Sequence, residues 1–77
     1  MLIVNQMRTE ALNARDLNKI VIEDVESGGI QLQAIVAYTW ESEGKIILGT
    51  YDSSPEASDA LTDLALAWES VKCYFMS

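Results

Sequence analysis

Alternation of apolar and polar residues predicts three consecutive strands in the middle of the chain. These strands lie at residues 19–25, 30–40 and 45–51. The second has the cleanest period of two, and one of its faces carries Ile30, Leu32, Ala34, Val36, Tyr38 and Trp40. The Gly28-Gly29 pair accepts the positive φ values of a tight hairpin turn, and residues 41–44 form a second short loop. We therefore expect an antiparallel meander.

The hydrophobic period changes from two to 3.6 after Asp52, which predicts a helix over residues 55–69. Ser54 is a suitable N-cap, and Pro55 suits the first helical position. One face of this helix gathers the apolar residues Ala57, Leu61, Leu64, Ala65 and Trp68. The opposite face carries Glu56, Asp59 and Asp63, with Leu66 beside them. The helix is thus amphipathic, as packing on one side of a sheet requires.

Weaker patterns occupy the two ends of the chain. Residues 2–4 form a short apolar run that predicts a first strand, and residues 11–12 fit a brief strand or an irregular connection. Val71, Cys73 and Phe75 alternate with more polar or flexible residues, which predicts a last strand. In that strand, we expect Cys73 to be a small buried hydrophobe.

These elements predict a single α+β domain over residues 1–77. We expect an antiparallel sheet of four to five strands, with one amphipathic helix near the C-terminus packed on one face, where Trp68 anchors it. The predicted core contains Ile20, Ile22, Leu32, Ala34, Val36, Leu48, Leu61, Leu64 and Trp68.

Charge is distributed unevenly along the chain. Residues 23–69 contain ten acids and one base, Lys45, so this stretch has a net charge of −9. The other residues sum to +2, which gives the net charge of −7 for the whole chain. Such a surface disfavours direct binding to nucleic acid or to anionic membranes and favours basic protein surfaces. The chain also lacks an export signal and a long apolar run, so we expect a cytoplasmic protein without a membrane partner.

The sequence leaves open a Ser–Lys or carboxylate catalytic arrangement, but no spacing of residues singles one out. There is no histidine, and Cys73 is the single cysteine, so no nucleophile has an imidazole base and no disulfide or structural zinc site forms within the chain. The acids do not have the spacing of a calcium loop. We therefore expect a protein that is not an enzyme, with no catalytic residues, no cofactor and no metal.

The acidic helix face is the strongest candidate for a binding surface. Asp59 and Asp63 are one turn apart, about 6 Å along the axis. This spacing resembles that of neighbouring phosphates on one nucleic-acid strand, so Glu56, Asp59, Asp63 and Leu66 are predicted to bind a partner by acidic mimicry. The plainer interpretation is an acidic surface that confers solubility.

Two other functions fit the sequence. A domain of 77 residues without disulfide or metal has a thin margin of stability, so we expect a homo-oligomer, most simply a dimer. One alternative is therefore an oligomer that sequesters a small molecule between subunits, with Tyr38, Trp40 and Tyr51 as stacking groups. A second alternative is a structural or assembly protein.

Several segments resemble small, mostly uncharacterised proteins of phages and prophages of Gram-positive bacteria. The residues that carry the resemblance are the opening MLIVNQ, the strands Ile20-Val21-Ile22 and IILGTY (residues 46–51), the helix residues Ser54, Glu56, Ala57 and Leu61, and the ending Tyr74-Phe75-Met76. Residues 26–44 show no specific match. The resemblance implies a compact α+β fold and a phage or mobile-element origin, which would place the protein in the cytoplasm of a host cell, and it supplies no catalytic residues.

Small acidic phage proteins often inhibit host defence, and anti-CRISPR proteins are examples. By this analogy of context, we expect a non-catalytic accessory protein that binds and inhibits a host defence protein through its acidic face.

Overall fold

A computed structural model describes residues 1–41 and 44–77; Ser42 and Glu43, in the predicted second hairpin loop, lie outside the described residues. In chain order the elements are β1 (Leu2–Val4), β2 (Ala11–Asn13), β3 (Leu17–Ser27), β4 (Ile30–Thr39), β5 (Lys45–Tyr51), α1 (Ser54–Ala67) and β6 (Cys73–Phe75). A 3₁₀ turn, Ala14–Asp16, joins β2 to β3. The fold is α+β, with one α-helix and two three-stranded sheets in the described part of the chain.

The larger sheet confirms the predicted meander. Its strand order is β3-β4-β5, and both pairings are antiparallel. A two-residue turn joins β3 to β4, where Gly28 has φ 59° and Gly29 has φ 80°. Two consecutive residues in the left-handed backbone conformation match the right-handed twist of the flanking strands. Glycine adopts this conformation without a steric penalty. β3 is longer than predicted at both ends: Leu17 pairs with Thr39 beyond a register shift, and Glu26 and Ser27 continue the ladder to the turn.

The smaller sheet corrects the prediction of one sheet with four to five strands. Its order is β2-β1-β6, with β6 parallel to β1. The connection between these two parallel strands spans residues 5–72, and α1 is its last element. Three-residue strands are too short for a period of two to indicate which sheet they join. The two sheets touch where the Gln6 amide donates to the Leu48 carbonyl oxygen at 2.7 Å.

The core lies between the larger sheet, α1 and the smaller sheet. Its fully buried side chains include Ile3, Ile35, Leu48 and Leu64. In the β3–β4 ladder, Ile22 is opposite Ile35. Residues opposite each other in an antiparallel pair share a face, so the apolar stripe of β3 meets this face of β4.

The prediction therefore selected the wrong face of β4 for the core. Ala34 and Val36 are buried, as predicted, but they lie on the face turned away from α1. Ile35 and Ala37, which the alternation placed outside, are the residues that pack in the core. Residues 34–37 of β4 are all apolar and buried, so periodicity alone does not select the inner face.

The helix begins one residue before the predicted start and ends two residues before the predicted end. Ser53, not Ser54, is the N-cap, and α1 buries Ala57, Ala60 and Leu64. Trp68 is the C-cap and keeps 38% of its surface exposed. It lies at the rim of the helix–sheet contact and is not a buried anchor.

The last strand has the opposite phase to the predicted one. Cys73 is exposed, and Phe75 is 49% exposed, whereas Tyr74 is half-buried and Met76 is buried. Tyr74 pairs with the buried Ile3 in the parallel β1–β6 ladder, which turns this set of side chains inward. The prediction that Cys73 is a buried hydrophobe was wrong.

Candidate functional site: an acidic groove beside the helix

An open groove of about 450 Å³ runs between α1, the end of β5 and the last residue of the chain. Four carboxylate side chains line it, those of Asp52, Glu56, Asp59 and Asp63. Its other lining residues are Gln6, Thr50, Tyr51, Ala60 and Ser77, so no lysine or arginine contributes to the wall. The groove is therefore strongly negative.

The helix N-terminus positions one of these acids. The Glu56 amide donates to Ser53 Oγ at 3.4 Å, and Ser53 Oγ donates to Glu56 Oε1 at 3.2 Å. The Ser53 hydroxyl thus satisfies the Glu56 amide of the first turn, and the Glu56 carboxylate also lies at the positive end of the helix dipole. Glu56 thus has a structural role in addition to its place in the groove.

Asp59 and Asp63 are different from Glu56. Both are exposed, and the described residues place neither of them in an ion pair or a side-chain hydrogen bond. One turn of helix separates them, so both carboxylates lie along the same side of α1. An external ligand can therefore reach them without breaking an ion pair or a side-chain hydrogen bond of the described residues.

The floor of the groove is a small polar network. The Tyr51 hydroxyl donates to the backbone oxygen of Ser77 at 2.9 Å, and Gln6 Nε2 donates to the same oxygen at 3.0 Å. The Thr50 amide in turn donates to Gln6 Oε1 at 2.9 Å. These bonds tie the end of the chain to β5 and the segment after β1, which gives the acids on α1 a fixed opposite wall.

The phenols near the groove remain neutral over a wide pH range. Burial raises the pKa of Tyr51, and the nearby Tyr74 phenol adds to this shift. Burial likewise raises the pKa of Tyr74, with a further contribution from the Asp63 carboxylate. The negative charge of the groove therefore comes from its carboxylates.

The predicted binding residues are partly brought together. Glu56, Asp59 and Asp63 line one groove, whereas Leu66 lies outside it and is 78% exposed. Sequence reasoning missed Asp52, which directly precedes the N-cap Ser53 and joins the three helix acids. It also missed Gln6, because a single polar residue that follows a short strand carries no sequence signal of a site.

The three aromatic residues proposed for a small-molecule site do not converge. Tyr51 lies on the core face of the larger sheet, whereas Tyr38 lies on its open face, near Glu23. Trp40 follows the end of β4, is 71% exposed and lines a separate depression with Asp16 and Glu41. A stacking site built from all three residues does not form within one subunit.

Tyr38 instead belongs to a polar cluster on the open face. Its hydroxyl donates a hydrogen bond to Glu23, whose carboxylate also pairs with Lys45 Nζ at 3.1 Å. Lys19 Nζ lies 5.0 Å from the centre of the Tyr38 ring. The hydrogen bond from Tyr38, and then that from Lys45, lower the pKa of Glu23, while the bond to Glu23 raises the pKa of Lys45.

No group of three or more His, Cys, Asp or Glu side chains is arranged to hold a metal ion within residues 1–41 and 44–77. In the same part of the chain, no helix is long and apolar enough to cross a membrane. Comparison with protein-family models, with curated proteins and with solved structures finds no match.

Proposed function

We propose that this protein is a non-catalytic binding protein whose acidic groove receives a basic segment of a host protein and thereby blocks it. The observation that carries the proposal is a single groove lined by four carboxylates, with no lysine or arginine in its wall. Acidic side chains at the helix N-terminus alone would have an ordinary cause in the dipole. Asp59 and Asp63 extend the same charge into the middle of α1, where the dipole does not require it.

The geometry favours a basic partner because several carboxylates act on one narrow region. Charges concentrated in a cleft raise the local potential and speed the encounter with an oppositely charged surface. A partner surface built for phosphates carries arginine and lysine side chains, which pair well with carboxylates. Occupying such a surface would exclude its nucleic acid, and this is the form of inhibition that we propose.

Leu66 gives the proposed surface an apolar contact. It is 78% exposed on α1 and lies outside the core. An exposed leucine beside charged residues supplies buried area when a partner docks, while the charges supply orientation and rate. We propose that the partner contacts the groove first and covers Leu66 at its margin.

Binding of a fluorescent nona-arginine peptide, followed by anisotropy at several salt concentrations, tests the proposal. Asp59→Asn/Asp63→Asn should weaken binding by about tenfold, as expected for two lost charge-assisted contacts. The matched control is Glu10→Gln/Glu26→Gln, which removes the same charge from exposed residues outside the groove. Equal losses in both double variants would show that only net charge matters, and the groove would then not be the binding site.

The alternative of small-molecule sequestration rests on aromatic residues that lie apart in one subunit. We do not favour it over the acidic groove, which unites three of the four residues proposed for partner binding.

A further inference from the structure

The outer side of β3 is a long free edge. β3 has 11 residues and is the terminal strand of its sheet, so no strand in the described part of the chain pairs with its outer side. Natural proteins usually shorten, bend or cover such an edge, because its free amide and carbonyl groups can pair with another strand. Here, the centre of the edge is the apolar run Ile20-Val21-Ile22, which is half-buried.

The register of the hairpin shows which backbone groups point outward. Ser27 and Ile30 close the two-residue turn, and such a closing pair exchanges hydrogen bonds across the hairpin. The odd-numbered residues of β3, from Lys19 to Ser27, therefore direct their amides and carbonyls toward β4. The even-numbered residues between them, Ile20, Ile22 and Asp24, direct theirs to the free edge.

We propose that β3 pairs with β3 of a second copy of this chain, antiparallel and centred on Val21. A two-fold axis perpendicular to the sheet relates the two copies, so the face of each larger sheet that packs on α1 lies on the same side of the joined sheet. With Val21 opposite itself, Ile20 lies opposite the partner's Ile22, so the outward backbone groups of each copy meet. The result is a continuous six-stranded sheet.

Charge complementarity selects this register. With Val21 at the centre, Lys19 lies opposite the partner's Glu23, and the two-fold axis repeats the pair. Moving the centre to Ile22 places Lys19 opposite Val25, and moving it to Glu23 places two carboxylates opposite each other. Opposite charges directly across a ladder stabilise it, whereas like charges destabilise it. Of these three registers, only the one centred on Val21 gives two attractive pairs.

An apolar groove lies along the same edge. It has a volume of about 450 Å³ between β3 and α1, and its apolar lining residues are Leu17, Ile20, Leu61, Leu64, Ala65 and Trp68. In the proposed dimer, the two copies of this groove lie on one face of the joined sheet, beside the seam. Trp68, which is 38% exposed in the single chain, lines this groove. This inference is independent of the acidic groove, and its failure would leave the proposed function unchanged.

Charge reversal tests the register. Light scattering at micromolar concentration should give twice the mass of the 8.5 kDa chain for the unmodified protein. Lys19→Glu alone or Glu23→Lys alone makes both cross-pairs repulsive and should raise the dimer dissociation constant by about tenfold or more. An equimolar mixture of the two variants makes both pairs attractive again and should restore the dimer. Lys72→Glu and Glu10→Lys, at exposed residues outside β3, are the matched controls and should remain dimeric.

A monomeric unmodified protein, single variants that remain fully dimeric, or a mixture that stays monomeric would each overturn the proposal. Because Glu23 also pairs with Lys45 within the chain, a cross-linking experiment provides a second test that does not change charge. In a Cys73→Ser background, Val21→Cys should form an intermolecular disulfide on mild oxidation, since two residues facing each other at the axis are close enough. Val25→Cys is the control and should not, because it lies opposite Leu17 in this register. Equal cross-linking of both variants, or none of Val21→Cys, contradicts the pairing.

Discussion

The hydroxyl of Tyr38 on β4 donates a hydrogen bond to the carboxylate of Glu23 on β3, 15 residues away in the chain. This bond, together with the Lys45 ammonium, lowers the pKa of Glu23 below its ordinary value of 4.5. The same bond raises the pKa of Tyr38. The open face of the larger sheet therefore carries a polar contact that depends on pH at both ends of the scale.

Tyr38→Phe should return the pKa of Glu23 toward its ordinary value. A carboxyl with a lowered pKa stabilises the folded state above its unfolded pKa, and this contribution disappears as the pH falls through the folded value. The variant should therefore lose less stability than the parent between neutral pH and acid. An NMR pH titration of the Glu23 carboxyl carbon measures the shift, and Tyr51→Phe is the control. An unchanged Glu23 titration in Tyr38→Phe would show that the hydrogen bond does not set its pKa.

At alkaline pH, the same cluster loses its contribution to folding stability as the pH rises. The pKa values of Tyr38 and Lys45 are raised, so their contribution is complete below their ordinary values of 10.0 and 10.5 and disappears as the pH rises through the folded values. Thermal unfolding in the absence of divalent ions should show a melting temperature that falls above pH 10 more steeply in the parent than in Glu23→Gln. Parallel curves would contradict this.

Two leucines on α1 should respond in opposite ways to truncation. Leu64 is 1% exposed in the core, so Leu64→Ala should destabilise the fold by about 2–5 kcal/mol. Leu66 is 78% exposed, and Leu66→Ala should change the stability by less than about 0.5 kcal/mol. Urea unfolding measures both values. Similar losses for the two variants would mean that the helix presents a different face to the sheet.

The N-cap gives another matched pair. Ser53→Ala removes the acceptor of the Glu56 amide and should cost about 1 kcal/mol of stability, whereas the neighbouring Ser54→Ala should cost little. Chemical denaturation of the two variants distinguishes Ser53 from the residue that the sequence pattern favoured. A greater loss in Ser54→Ala would place the helix start one residue later.

The thiol of Cys73 should react readily. Because its side chain is exposed, the native protein should consume one equivalent of Ellman's reagent without denaturant. Reaction only after unfolding would show that Cys73 is buried and that β6 has the phase predicted from the sequence.

For the long periodic segments, both position and pairing were predictable from the sequence, whereas for the short strands β1, β2 and β6 the positions were predictable but the sheet that they form was not. The meander of β3, β4 and β5 follows from alternation and the Gly28-Gly29 turn, and α1 follows from the change of period after Asp52. The inner face of β4 was not predictable because both of its faces are apolar, and only the pairing with Ile20 and Ile22 decides between them. The β1–β6 pairing of the second sheet joins residues 71 positions apart, such as Leu2 and Cys73, and local patterns do not encode it.

The candidate site shows the same division. Glu56, Asp59 and Asp63 share a helix face, so 3.6-residue periodicity was enough to group them. Gln6 and Ser77 reach the groove only through tertiary contacts, and Tyr51 takes part because its hydroxyl bonds to Ser77. The acids of the site were thus predictable, but the wall opposite them was not.

The most direct test of the acidic groove is a titration of the ¹⁵N-labelled protein with unlabelled nona-arginine peptide, followed by amide chemical shifts. We predict the largest shifts at Asp59 and Asp63 on α1, with Thr50 and Asp52 on the facing wall, and saturable binding that weakens as salt is added. Shifts spread evenly over all exposed acids, or concentrated at Glu26 and the β3–β4 turn with α1 unaffected, would contradict it.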